Sequence, residues 1–298
     1  MADVVVHGPV SWNHIVNVDE LPDPTPHMQF ATAHHEVLGG TSAGKAAHLR
    51  ELGIDVELHT VLGTDPAANS IQDALRGADI GYVATRVHGP SERHLNLMDP
   101  TGGRVSIYLD TPAAVEVGSP GATAHLVSAA TTARALVLDL SQPSRDLIDT
   151  VAPLGVPIWT DLHDYDGRSW FHQPFLHAAT FVFMNADRIG DPMDFLRTAV
   201  QDGAHVAVCT LGAQGAVAVD ADLAVHTVPA APIDNIVDFN GAGDGFMAGY
   251  LAAQLNGADV PTALRAGAAQ AARALSTLQL SPQLNLSSAT TGRTDNGR

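Results

Sequence analysis

The sequence predicts an α/β fold: a mostly parallel central sheet covered by helices on both faces, with a small β lid. Three observations predict it. Short apolar, β-branched runs alternate with longer amphipathic ones, the order that sandwiches a parallel sheet between helical layers. Several strand-like runs are apolar almost throughout, as a sheet buried on both sides requires. Two regions, 12–36 and 82–110, instead alternate polar and apolar residues, which suits strands with one wet face.

Strands are expected at 4–7, 56–62, 135–140, 157–162, 181–185, 206–211 and 216–219, where Val, Ile, Leu and Phe dominate. Helices are expected at 43–52, 69–76, 145–152, 193–201, 245–255 and 263–278, where apolar residues recur at helical spacing. Within the second wet region, the run from Arg93, the turn Pro100-Thr101-Gly102-Gly103 and the run from Arg104 read as a hairpin. Residues 12–36 and 82–110 therefore form the expected lid, and 1–284 the expected single domain. Residues 285–298 are polar and aperiodic, the pattern of a loose tail.

Composition excludes several classes. With 298 residues, 45% of them hydrophobic, the chain can bury a large core. Its formal net charge of -17 repels nucleic-acid phosphates and anionic membranes, so neither is an expected partner. No apolar run approaches the ~18 residues of a membrane span, and the first residues lack a basic stretch and a long apolar one. A cytoplasmic protein is expected. The one cysteine, Cys209, lies in an apolar run and is expected to be buried and structural.

The most informative stretch is Asp238-Phe239-Asn240-Gly241-Ala242-Gly243-Asp244, directly before a helix-forming run. Small residues at a helix start leave backbone N–H groups uncovered, and these, with the positive end of the helix dipole, make an anion site. A carboxylate in the same turn, Asp244, would lie beside the bound anion. That pairing suits phosphoryl transfer, with one group taking a hydroxyl proton while N–H groups hold charge on the moving phosphoryl. A plain N-cap role for Asp244 is the alternative reading.

This segment resembles the signature of the ribokinase-like (PfkB) family of sugar and nucleoside kinases. Gly39-Gly40-Thr41-Ser42-Ala43-Gly44 resembles the family's N-terminal double-glycine motif, and weaker echoes follow in family order at Gly63-Thr64-Asp65, Asn185-Ala186-Asp187-Arg188 and Thr210-Leu211-Gly212-Ala213-Gln214-Gly215. The resemblance runs from about residue 3 to about residue 275. It implies a three-layer α/β/α fold with a β lid over the substrate site. It also implies an enzyme that moves the γ-phosphoryl of ATP, with Mg²⁺, to a sugar or nucleoside hydroxyl.

Carried over residue by residue, the resemblance makes Asp244 the general base and Gly241, Ala242 and Gly243 the anion hole. Asn13, Gly39, Gly40 and Asp161 would bind the acceptor. Asn13 stands where the family usually has Asp, and an amide can still bind a diol. Asp161 ends a strand, where open parallel sheets bind ligands. Asn185, Thr210, Gly212 and Gly215 would hold the nucleotide, and Asp238 would help form a monovalent-cation site, such as one for K⁺. Three positions depart from the family pattern: Gly44 replaces an Asn, Phe239 a Thr and Arg188 a Glu. The departures motivate a second reading, a sugar- or nucleoside-binding regulator on the same fold.

Gly39 to Lys45 also matches most of a Walker A loop, with the only lysine of the chain in place. The next residue is Ala46, where a P-loop requires Ser or Thr to hold Mg²⁺, so a P-loop NTPase is the minor alternative. The histidine pairs His34-His35 and His172 with His177 lack zinc spacing, and no resident metal is assigned. Lid strands with a wet face could pair with a neighbour, so a homodimer through the lid is an assembly the sequence permits.

Overall fold

The computed structural model describes residues 2–115 and 120–287. In chain order the strands are β1 (Val4–His7), β2 (Ser11–Asn17), β3 (Ala33–Gly39), β4 (Val56–Leu62), β5 (Gly81–Arg86), β6 (Glu92–Met98), β7 (Arg104–Asp110), β8 (Ala135–Leu138), β9 (Ile158–Asp161), β10 (Phe181–Asn185), β11 (Val206–Thr210), β12 (Ala216–Asp220) and β13 (Val225–Val228). The helices are α1 (Thr41–Glu51), α2 (Pro66–Gly77), α3 (Pro120–Thr132), α4 (Gln142–Val151), α5 (Gln173–Ala178), α6 (Pro192–Gln201), α7 (Ala242–Leu255) and α8 (Val260–Leu275).

Among the described residues, nine strands form the central sheet in the order β13-β12-β11-β10-β9-β8-β1-β4-β5. Every pairing from β5 to β11 is parallel, and at the other edge β12 pairs antiparallel with both β11 and β13. Alternate residues of the buried strands feed two separate cores. Val4, Val6, Val56, Leu58, Val137, Trp159, Val206 and Val208 face a layer that includes Leu49, Ile71, Tyr250, Leu251 and Leu264 from α1, α2, α7 and α8. Val5, Leu136, Leu138, Ile158, Val182 and Ala207 face Leu126, Ile148, Phe175 and Leu196 from α3, α4, α5 and α6. Period-two alternation between two apolar faces is why these strands read as continuous apolar runs.

Caps decide where several helices begin. Asp65, Ser141, Asp191 and Asp259 each accept a backbone N–H of the first turn, and a proline stands at the start of each helix. Helices α2 and α8 therefore start three residues before their apolar periodicity. Cys209 is buried, and burial pushes its thiol up to about 12.

A second sheet of four strands, in the order β3-β2-β6-β7, forms the lid. Strands β2 and β3 and strands β6 and β7 pair antiparallel, while β2 and β6 pair parallel. The expected lid span of 82–110 is too long at its start. Residues 81–86 form β5, which pairs parallel to β4 in the central sheet. Its polar–apolar alternation comes from lying at the sheet edge rather than from belonging to the lid. At the start of the tail expected from 285, Pro282–Ser287 forms a 3-10 turn, with Leu284 in the core. Residues 288–298 lie outside the described residues.

Candidate active site

Open parallel sheets bind ligands beyond the carboxyl ends of their strands, where the strand order reverses. Here it reverses at β1, which sits between β4 and β8. Asp139 follows β8 directly, and Asp161 is the last residue of β9. Helix α1 packs against this end and against α7 through a run of small residues, Ser42, Ala43 and Gly44. Close approach requires small residues on both sides: a Cβ on Gly8 would lie 2.4 Å from Ser42 Oγ and 2.8 Å from the Asp139 Cβ.

Three carboxylates converge on one cation. Lys45 Nζ lies 2.9 Å from Asp139 Oδ1, 2.9 Å from Asp244 Oδ1 and 3.7 Å from Asp161 Oδ2. All four groups are buried, Lys45 at 1% exposure and Asp244 at 7%. Ser42 Oγ donates to Asp139 Oδ2 at 2.7 Å, and the His163 N–H donates to Asp161 Oδ1 at 2.9 Å. Burial alone would lower the Lys45 pKa; the carboxylates of Asp139, Asp244 and Asp161 outweigh it and hold the ammonium above its ordinary value. Asp244 shifts upward, chiefly from burial and then from the like charge of Asp139, with Lys45 opposing. Burial would raise Asp161 too, but His163 and Lys45 bring it below its ordinary value.

Asp244 is the third residue of α7. Gly241 starts this helix in the left-handed region at φ +79°, and a Cβ there would also meet Leu280 O at 2.5 Å. The helical ladder begins with the Gly245 N–H donating to Gly241 O at 2.8 Å. The N–H groups of Ala242, Gly243 and Asp244 therefore precede the ladder. A Cβ on Gly243 would meet nothing within 4 Å, so the helix start opens onto free space.

The double glycine has an internal explanation. A Cβ on Gly39 would lie 2.1 Å from Asn13 Nδ2, so Gly39 makes room for the Asn13 amide. Asn13 is itself buried, with Oδ1 accepting from Ser11 Oγ at 2.7 Å. Gly40 adopts φ +91°, with a Cβ position 2.5 Å from Pro9 O. On the other side of the sheet centre, Asn185 and Thr210 are register partners at the ends of β10 and β11. Asn185 Oδ1 accepts the Asp187 N–H at 3.0 Å. Gly212 (φ +57°) and Gly215 (φ +96°) form the turn into β12, and a Cβ on Gly215 would lie 2.0 Å from Val228 O.

The three departures from the family pattern have visible settings. Gly44 faces Asp244, as described below. Phe239 packs its ring against Gly102 in the β6–β7 turn, where an added Cβ would stand 3.1 Å from the ring. In the same place Arg104 Nη1 donates to Asn240 Oδ1 at 3.3 Å, so the lid hairpin meets the signature loop. Arg188 is exposed, with its guanidinium 3.8 Å from Asp164 Oδ2. Asp238 is buried, and its Oδ1 accepts the Asn240 N–H at 2.8 Å.

The P-loop alternative fails here. Lys45 lies in the second turn of α1 rather than beside an open loop, and its ammonium is taken up by buried carboxylates rather than left free to meet a phosphate. Two features escaped the sequence reading. A cleft lies between the segment before the signature (Ala231, Pro232, Asp234, Val237) and the end of α8 (Arg273, with Ser276 just beyond it). Glu57, His59 and His125 also come together, with their ligand atoms within 4.8 Å of one another. Sequence separation hid both, because residues up to 68 apart meet only after the sheet forms.

Comparison with known proteins places the chain in a family. The family model described as "pfkB family carbohydrate kinase" matches residues 176–285. The chain is 31% identical over 270 residues to an acarbose 7(IV)-phosphotransferase of Actinoplanes sp., covering 89% of each protein. A solved structure of a microbiome-derived acarbose kinase superposes with a TM-score of 0.82 at 30% identity, covering 93% of each chain. A nucleoside kinase of Methanocaldococcus jannaschii is 23% identical over 285 residues, covering 91% of this chain and 89% of that protein. The fold and these relatives define a ribokinase-like small-molecule kinase. The chain belongs to the pfkB family of carbohydrate kinases and is a carbohydrate or nucleoside kinase. Among the described residues no helix is long and apolar enough to cross a membrane.

Proposed function

We propose that the protein transfers the γ-phosphoryl of MgATP to a hydroxyl of a carbohydrate, with Asp244 as general base. The observation that carries this reading is the placement of Asp244: a buried carboxylate on the third residue of α7, beside N–H groups that precede the helical ladder and open onto free space. Asp244 takes the proton of the acceptor hydroxyl as that oxygen attacks the γ-phosphorus and ADP leaves. The N–H groups around Gly241, Ala242 and Gly243 hold the charge on the transferring phosphoryl. Held on the side of Asn185, Thr210, Gly212 and Gly215, MgATP would supply the phosphoryl, with the metal offsetting the charge of the donor phosphates. Asn13 and Asp161 hold acceptor hydroxyls beside the base, and Asn185, Thr210, Gly212 and Gly215 line the donor side. The cleft between Val237 and α8 offers room for the nucleotide base. Asp238 is assigned to a monovalent-cation site.

Acarbose is the first acceptor to test, because both relatives near 30% identity carry that substrate in their names. Nucleosides are the next, on the strength of the more distant nucleoside kinase. We also propose a homodimer through the lid: β7 is an unpaired sheet edge on which Val105, Ile107, Tyr108 and Leu109 are exposed. Light scattering on the purified chain tests it, and a monomer at all working concentrations would remove the proposal.

The test of function is ADP release from MgATP with acarbose, with pooled sugars and with nucleosides, comparing wild type with Asp244→Asn. Acceptor-stimulated turnover in wild type alone is expected. Equal turnover in both proteins would sink the role of Asp244. Ligand binding without turnover in any mixture would favour the regulator reading.

A further inference from the structure

We propose that Lys45 is a positioning residue for the phosphoryl-transfer step: it aims Asp244 and keeps it ionised inside a buried site. The inference rests on the reading of Asp244 as base. Its grounds are geometric. Lys45 is the only lysine of the chain, and it is buried to 1% exposure in the middle of α1. Its ammonium donates to Asp244 Oδ1 at 2.9 Å. The same ammonium sits 2.9 Å from Asp139 Oδ1, so it is held from behind by a second carboxylate. Asp161 Oδ2 adds a third contact at 3.7 Å.

One ammonium facing three carboxylates leaves the cluster with an excess of negative charge. In a buried setting that excess favours protonation of the acid with the fewest stabilising contacts. Asp139 has the Ser42 hydroxyl on its second oxygen, and Asp161 has the His163 N–H. Asp244 has Lys45. A base that carries a proton cannot take one, so the ammonium maintains the form the reaction uses. It also occupies Oδ1, which leaves Oδ2 as the oxygen free to meet a substrate hydroxyl. The ammonium never contacts substrate in this arrangement; it acts through Asp244.

The charges oppose each other in a way that gives a two-sided test. Lys45→Met removes the cation, and the acid limb of kcat is expected to move up by about 1–3 pH units, the usual effect of one nearby opposite charge on a carboxylate. Asp139→Asn removes a like charge while keeping Lys45, and the limb is expected to move down. A residue that only stabilises the fold would not shift the limb in opposite directions. The second variant also keeps the idea testable should Lys45→Met fail to fold. Asp244→Asn is measured beside them. An inactive Asp244→Asn together with an unmoved limb in the other two variants overturns the role of Lys45 alone. Full turnover in Asp244→Asn overturns the base reading and, with it, this one.

An independent observation carries a second proposal: the structure assigns a divalent-metal site to Glu57, His59 and His125. Glu57 and His59 alternate along β4 and so project from one face of the sheet, and His125 reaches them from α3. Glu57 Oε1 lies 2.7 Å from His59 Nε2 and 3.1 Å from His125 Nε2. Two imidazole nitrogens and one carboxylate oxygen within 4.8 Å of one another form a set suited to zinc, with a position left for water. His59 is buried and His125 about half exposed, which gives an ion a path from solvent. Calorimetry with zinc chloride on the dialysed full chain is the test. One zinc per chain, lost in His125→Ala, is expected; no stoichiometric binding, or equal binding in that exposed-site variant, overturns the proposal.

Discussion

A Cβ on Gly44 would lie 2.5 Å from Asp244 Oδ2. The carboxylate thus occupies the space that any side chain at position 44 would need. Gly44→Ala is therefore expected to displace Asp244. The expected outcome is at least a tenfold fall in kcat, roughly the cost of losing 1.4 kcal/mol of transition-state stabilisation, with acceptor binding retained. Steady-state kinetics beside an acceptor-binding titration checks it, and a fully active variant would show that the contact does not constrain the base.

The pKa of Asp244 is raised above 3.8 by burial first and by Asp139 second. Activity should therefore rise with pH along a limb lying above the ordinary aspartate value. The linkage sign follows: the folded chain holds this proton more tightly than the unfolded chain, so the stability contribution is present at low pH and is lost as pH rises through the folded pKa. Asp244→Asn should accordingly melt higher than wild type at pH 7, with the gain shrinking toward pH 3.8. Thermal melts across this range decide it; a lower melting temperature at pH 7 would contradict the sign.

Glu51 shows the opposite sign. Burial alone would raise its pKa, but hydrogen bonds from His48, Arg273 and Ser281 and the charge of Arg273 bring it from 4.5 to about 2. It ties α1 to α8, with Gln270 Nε2 at 2.9 Å and Ser281 Oγ at 3.1 Å from Oε2. Its stabilisation is present above pH 4.5 and is lost as pH falls toward 2. Glu51→Gln should lower the melting temperature at pH 7 and make little difference at the acid end of that window.

Gly241 is left-handed at φ +79° and sits 2.5 Å, at its Cβ position, from Leu280 O. Gly241→Ala is expected to lose about 1–2 kcal/mol from the backbone conformation alone, and more from the clash. Denaturant unfolding gives the measurement. An unchanged midpoint would mean that the start of α7 relaxes without cost.

Phe239 touches Gly102 of the lid turn. Phe239→Ala should loosen the junction of lid and signature loop, raising KM for the acceptor several-fold with the melting temperature nearly unchanged. An unaltered KM would separate this contact from acceptor binding.

Much of the fold was legible in the sequence because its signals are local. The apolar runs that became β1, β10 and β11 are buried on both faces, and that requirement writes itself into consecutive residues. The signature around Asp244 was legible for the same reason, since a helix start with small residues and a carboxylate is one continuous segment. The span of β5 was misjudged because an edge strand and a lid strand share the same polar–apolar pattern, and only the pairing with β4 separates them. Helix α5, with six residues, is too short to show a helical period.

The sequence by itself determined the order of the layers, the start of α7 and the residues of the signature, because backbone propensity and burial act over neighbouring positions. Only the tertiary structure decided what Lys45 does. Read along the chain, it completed most of a phosphate loop; in three dimensions Asp139, Asp161 and Asp244, 94 to 199 positions away, surround its ammonium. Electrostatic energy depends on distance through space and on the water excluded from it, and neither quantity is written in sequence spacing.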